Sequence, residues 1–77
     1  MAAAITIEFY GMARRQAGRS ELHVVATTVA EALASAGIDG TSPHYLVSVN
    51  AGPFLSDLHA GLKAGDHVVV MSTDAGG

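Results

Sequence analysis

A single well-marked helix set among alternating strand patterns is the feature that most constrains what this chain can fold into. Thr28-Val29-Ala30-Glu31 has the capping-box form, in which a threonine hydroxyl and a glutamate side chain satisfy free amides at a helix start. Val29, Ala32, Leu33 and Ala36 then fall on one stripe at helical spacing, and Gly37 stands where a left-handed C-terminal cap is expected. The spacing predicts a helix that ends at Ala36. One helix with one apolar stripe needs a second layer to cover that stripe, and the remaining apolar runs read as strands.

Ile5-Thr6-Ile7-Glu8-Phe9-Tyr10 alternates strictly, which puts Ile5, Ile7 and Phe9 on one face and Thr6, Glu8 and Tyr10 on the other. Gly11 breaks that strand, Met12 to Ala17 fits a short helical turn, and Gly18 closes it. A second strand follows from Glu21 to Val25, with Leu22 and Val24 facing inward. Beyond the helix, a loop rich in Gly, Ser and Pro (Asp39 to Pro43) leads to a third strand, Tyr45 to Asn50, with Val47 and Val49 on its inner face. Asn50-Ala51-Gly52-Pro53 turns the chain. Phe54 to Leu62 is poorly patterned and reads as a short strand and an irregular crossing anchored by Leu55, Leu58 and Leu62. Lys63-Ala64-Gly65-Asp66 has the composition of a tight turn, and His67 to Met71 forms the last strand. This order describes an α+β roll, a sheet of four or five strands with one main helix on one face. The expected organisation is one folded domain over residues 1–71 and a mobile tail over 72–77.

The 77 residues make one domain, and a domain this small buries only roughly 60% of the surface of its unfolded chain. Of its apolar residues 14 are alanines, so the core is thin. The start Met1-Ala2-Ala3-Ala4 has no positive region and leads into an alternating strand, so neither a signal peptide nor a membrane span is expected, and the cytoplasm is the expected location. A net charge of −3 with four basic residues argues against binding nucleic acid, which needs a basic face. Arg14, Arg15 and Arg19 could meet an acidic partner, although exposed arginines are commonly just solvated. His23, His44, His59 and His67 show no metal-ligand spacing, and no metal is expected. Ser48 lacks a Gly-x-Ser-x-Gly elbow, and the glycines form no phosphate-binding fingerprint. The chain has no cysteine, so it carries no thiol nucleophile of its own.

The sequence closes on Gly76-Gly77 shortly after an apolar strand. Two glycines can lie extended in a channel too narrow for any other residue, so a partner enzyme could reach the last carbonyl. Taken together, the opening strand, Phe9-Tyr10-Gly11-Met12-Ala13-Arg14-Arg15-Gln16-Ala17-Gly18, Thr28-Val29-Ala30-Glu31-Ala32-Leu33, Leu62-Lys63-Ala64-Gly65-Asp66, the final apolar strand and Gly76-Gly77 resemble the ubiquitin-like β-grasp sulfur carriers of the MoaD and ThiS group. The segment from Gly11 to Arg19 is most similar to the molybdopterin synthase small subunits. The chain differs from the group in reading Val49-Asn50-Ala51-Gly52, with an inserted alanine, and in lacking prolines within Ser72-Thr73-Asp74-Ala75.

The resemblance implies a ubiquitin-like β-grasp fold and a specific chemistry. An E1-like adenylyltransferase joins the Gly77 carboxylate to AMP, consuming ATP, and a sulfur donor protein converts the acyl-adenylate to a thiocarboxylate. Gly76 lets the tail thread. The domain would then be a carrier or non-catalytic synthase subunit that binds no cofactor, with the molybdopterin synthase large subunit as its acceptor in molybdenum cofactor synthesis. Carriers for thiamine, cysteine, tRNA thiolation or a specialised metabolite share this chemistry, as do modifiers that form isopeptide bonds. The chain holds one lysine, Lys63, which disfavours extended self-linked polymers. The sheet face away from the helix, with Leu46 or Val69 beside Thr6 and Glu8, is the expected docking surface.

Overall fold

The computed structural model describes residues 3–40, 42 and 44–73. Among them are four strands and two helices: β1 (Ala3–Tyr10), α1 (Met12–Ala17), β2 (Glu21–Ala26), α2 (Val29–Ser35), β3 (Tyr45–Val49) and β4 (His67–Ser72). The sheet order is β2-β1-β4-β3. β1 lies antiparallel to β2 and parallel to β4, while β3 and β4 are antiparallel. β1 and β4, the first and last strands among the described residues, are thus central neighbours.

Strand alternation sorts the faces as the sequence dictates. Ile5, Ile7 and Phe9 of β1 and Val68 and Val70 of β4 are buried, and Leu22 and Val24 of β2 pack at the margin of the same core. α2 covers this face with Val29, Ala32 and Leu33, none of which retains any exposure, and Ala36 packs beside them. Val47 and Leu62 are buried in the same core, with Val49, Leu55 and Leu58 against it. Fully burying a Leu, Val or Phe side chain contributes about 1.5–3 kcal/mol, so these few residues supply most of the driving force available to so small a domain.

The ends of α2 show how its sequence sets its length. Thr28 is extended (φ −130°, ψ 164°), and its hydroxyl accepts from the Glu31 amide at 3.2 Å. The Glu31 carboxylate reaches past the cap and accepts from the Thr27 amide at 2.8 Å, one residue earlier than a capping box requires. Regular helix stops at Ser35, with Ala36 as the C-cap, one residue before the sequence predicts. Gly37 adopts φ +76°, which glycine reaches without steric cost. Its amide donates to the Ala34 carbonyl (3.1 Å) and that of Ile38 to the Leu33 carbonyl (3.0 Å), a Schellman motif that drops Ile38 into the core.

The segment 53–62 forms no regular strand. It touches the sheet through isolated bridges, Ser48 to Phe54 and Thr28 to Gly61, and through the Leu55 amide on the Val47 carbonyl at 2.8 Å. The turn ahead of it accommodates the extra alanine. Asn50 and Ala51 both have positive φ (52° and 60°) and the Gly52 amide donates to the Val49 carbonyl at 3.0 Å, the pattern of a type I′ turn. Ala51 carries a Cβ in a left-handed conformation that costs about 1–2 kcal/mol. Ala51→Gly removes that strain and adds unfolded-state entropy of smaller size, so stability is expected to rise by about 0.5–1 kcal/mol. Urea unfolding midpoints of the two proteins check this.

At the same end of the sheet, Asp66 ties two turns together. Its carboxylate accepts from the Lys63 amide (2.8 Å) and from the Asn50 side-chain amide (3.0 Å), and Asn50 accepts in turn from the His67 amide (2.9 Å). The Lys63 bond first, and the Asn50 bond second, hold the Asp66 carboxyl below the usual aspartate value of 3.8. A depressed folded-state pKa stabilises the protein above the unfolded value, and the contribution is lost as pH falls through the folded value. Stability measured from neutrality down to about pH 2 is therefore expected to fall less steeply below pH 3.8 in Asp66→Asn than in the parent. Equal acid slopes would contradict the assignment.

Candidate functional site

Gly76 and Gly77 lie outside the described residues, and so does the remainder of the tail from Asp74 onward. What the structure defines is the body that presents them. β4 runs one residue further than the sequence predicts, to Ser72, and the Thr73 amide donates to the His44 carbonyl at 2.8 Å. Ser72 and Thr73, expected as tail, are thus bonded to the folded domain.

The chain leaves β4 beside α1. The Met12 amide donates to the Ser72 hydroxyl at 3.3 Å, and Gly11 turns into α1 with φ +61° and ψ −134°. A Cβ at Gly11 would stand 2.8 Å from the Ser72 hydroxyl, closer than real contacts allow, so both backbone angle and space call for glycine there. Ala13 of α1 is fully buried, which fixes the helix across this end of the sheet. Arg14, Arg15 and Arg19 face solvent.

The sheet face away from α2 follows from the strand register. Met71 pairs with Tyr10 and Leu46, Val69 with Glu8 and Ser48, and His67 with Thr6, which in turn faces His23. Leu46, Val69 and Met71 are half-buried there, and Tyr10 (48% exposed) and Phe54 (53%) stand out beside them. This places Leu46 and Val69 where the sequence puts them, and adds Tyr10, Phe54 and Met71. Val25 (66% exposed) lies on the same face at its far edge.

A polar cluster crosses the apolar strip. The Tyr10 hydroxyl donates to Glu8, and the Nε2 atom of His67 contacts the other oxygen of the same carboxylate. The Tyr10 bond, aided by His67, holds the Glu8 carboxyl below its usual range, and the same bond pushes the Tyr10 hydroxyl up. Glu8 therefore stays ionised and oriented at neutral pH. Sequence reading marks Glu8 and Tyr10 as neighbours on one strand face. It misses His67 because that contact depends on the long-range parallel register of β1 on β4. His23 sits on Thr6 (3.1 Å) and Glu21 (3.3 Å), while His44 and His59 lie in separate loops. Among the described residues no three His, Asp or Glu side chains gather closely enough to hold a metal ion. Ser48 is buried against Val69 with no acid–base partner on it. No helix among the described residues is long and apolar enough to cross a membrane.

No protein-family model matches the sequence, and no curated protein matches it. The similarity lies in three dimensions. The chain resembles the solution structure of small archaeal modifier protein 1 from Methanosarcina acetivorans with a TM-score of 0.80 and 19% identity, over 100% of this chain and 99% of that one. It resembles the crystal structure of small archaeal modifier protein 1 from Haloferax volcanii with a TM-score of 0.76 and 22% identity, over 97% and 100% of the two chains. A further crystal structure of the Haloferax volcanii protein gives 0.72 and 20%, over 90% and 95%. These neighbours are named as modifiers and not as molybdopterin synthase subunits. Their agreement in length and topology, with the mixed sheet and its covering helix, establishes the fold as a ubiquitin-like β-grasp.

Proposed function

We propose that this protein is a ubiquitin-like carrier whose chemistry takes place at the carboxyl group of Gly77. One observation carries the reading: a β-grasp body matched along its whole length by small archaeal modifier protein 1 is followed, three residues after β4 ends, by Gly76-Gly77. A carboxylate with a pKa of roughly 3.5 is an anion at neutral pH and resists nucleophiles, so it needs activation. An E1-like enzyme supplies that: a Gly77 carboxylate oxygen attacks the α-phosphate of ATP, pyrophosphate leaves, and an acyl-adenylate forms.

The adenylate then has two fates. A protein persulfide attacks the carbonyl, AMP leaves, and a thiol cleaves the new sulfur–sulfur bond, which yields the Gly77 thiocarboxylate and a disulfide on the donor. Because the chain has no cysteine, the sulfur and the cleaving thiol both come from partner proteins. Within this reading we assign the sulfur to molybdopterin synthesis, with the synthase large subunit as acceptor and the cytoplasm as the workplace. The likeness of Phe9 to Gly18 to the synthase small subunits supports that assignment. Alternatively, a lysine amine of another protein attacks the adenylate and an isopeptide bond forms. The neighbours' naming as modifiers favours this second fate.

The outer sheet face, with Leu46, Val69, Met71, Tyr10 and Phe54, is the surface on which the activating enzyme seats. The test uses the E1-like enzyme encoded in the same genome, ATP and labelled pyrophosphate. Label is expected to enter ATP only when this protein is present. Absence of protein-dependent exchange would remove the reading.

A further inference from the structure

The segment 11–20 holds three of the four basic residues and none of the seven acidic ones. Arg14, Arg15 and Arg19 are exposed, and among the described residues none of their guanidinium groups makes an ion pair or hydrogen bond. The dipole of a six-residue helix accounts for a cation in its last turn, where Arg14 and Arg15 lie, but Arg19 follows the Gly18 cap. Ala13 and Ala17 turn inward, so Met12, Arg14, Arg15 and Gln16 form the solvent side of α1. That side adjoins exposed Tyr10, and the start of α1 is bonded to Ser72, where the tail begins.

We infer that α1 and Arg19 form a docking surface for an acidic segment of the protein that takes up the tail; this deepens the activation reading above and rests on it. Charge complementarity selects the occupant. On a chain with a net charge of −3, this is the one cluster of unpaired positive charge among the described residues, and planar guanidinium forks suit carboxylates. Its position makes it useful. A partner drawn onto α1 arrives beside Ser72 and meets the tail at once, so the patch raises encounter with the tail and leaves the chemistry itself unchanged.

Two arms test this on the full chain. In the first, amide resonances are followed as a labelled oligoglutamate peptide is added at about 10 mM ionic strength, where the Debye length is about 30 Å. Shifts confined to residues 10–19 are expected, lost in the double variant Arg14→Glu, Arg15→Glu, weakened in Arg19→Glu, and kept in Arg14→Lys, Arg15→Lys. Arg19 lies outside the helix, so its variant still decides the matter if charge reversal unravels α1. In the second arm, pyrophosphate exchange with the E1-like enzyme is expected to show KM raised about tenfold in Arg14→Glu, Arg15→Glu with kcat unchanged. Failure of the wild-type chain to support exchange would sink the activation reading, while the peptide arm would still judge the patch. No shifts at 10–19, shifts that survive charge reversal, an unchanged KM, or tighter binding of a single-stranded oligonucleotide than of the peptide would each overturn the inference.

Discussion

Deleting Gly76 and Gly77 is expected to abolish adenylation of this protein while leaving its unfolding transition in place. The two halves of that result separate chemistry from architecture. Among the described residues every buried one lies between Ile5 and Val70, and the last described bond toward the C-terminus is that of the Thr73 amide on His44. Truncation after Ala75 therefore leaves every described core residue in place. It does replace the acyl group that must enter the activating enzyme with one that carries a Cβ and ends about 7 Å short of it. Catalysis requires reacting atoms held within about 3–3.5 Å, so a group displaced by that distance does not react. Pyrophosphate exchange and urea unfolding of both proteins measure the two halves. Exchange that persists after truncation would move the chemistry elsewhere on the chain.

The second large effect concerns the layer that holds the sheet. Leu33 is fully buried on α2, and its Cδ1 atom lies 2.9 Å from where a Cβ on Gly40 would stand, with a Leu58 methyl at 2.6 Å from the same point. Leu33→Ala opens a cavity among rigid neighbours and is expected to cost about 3 kcal/mol, within the usual 2–5 kcal/mol for such truncations. A domain of 77 residues is typically stable by only about 4–12 kcal/mol, so this one change removes a large share. Leu33→Met conserves volume and is expected to cost less than about 1.5 kcal/mol. Urea unfolding of the pair separates loss of volume from loss of chemical type. A Leu33→Ala penalty below about 1 kcal/mol would mean that α2 does not seal the core as described.

Local chemistry made much of this fold legible. Strict alternation from Ile5 to Tyr10 gave the inner face of β1 because side chains on a strand alternate regardless of what lies beside it. Thr28 and Gly37 bracket α2 because caps act within one turn of backbone. The segment 53–62 was not legible because isolated bridges impose no period on a sequence. Strand order escaped for a different reason: the pairing of β1 with β4 joins residues about sixty positions apart, and nothing in either strand names its neighbour. The Glu8–Tyr10–His67 cluster and the seating of Ser72 on Met12 are consequences of that pairing and became visible only with it.

The site divides in the same way. Gly76-Gly77 is plain in the sequence because its meaning is chemical and needs no partner strand. The outer sheet face is not, since Leu46 joins Val69 and Met71 only through the pairing of β3 with β4, and Tyr10 joins them only through that of β1 with β4. The arginines of 14–19 stand out by composition, but their closeness to the tail depends on the bond from Met12 to Ser72.

The most direct test is the intact mass of the protein after incubation with the E1-like enzyme, ATP and a persulfide donor. A gain equal to the difference between one sulfur and one oxygen atom is expected, located by fragmentation at Gly77. A mass that stays unchanged, or a sulfur found on any other residue, would contradict it.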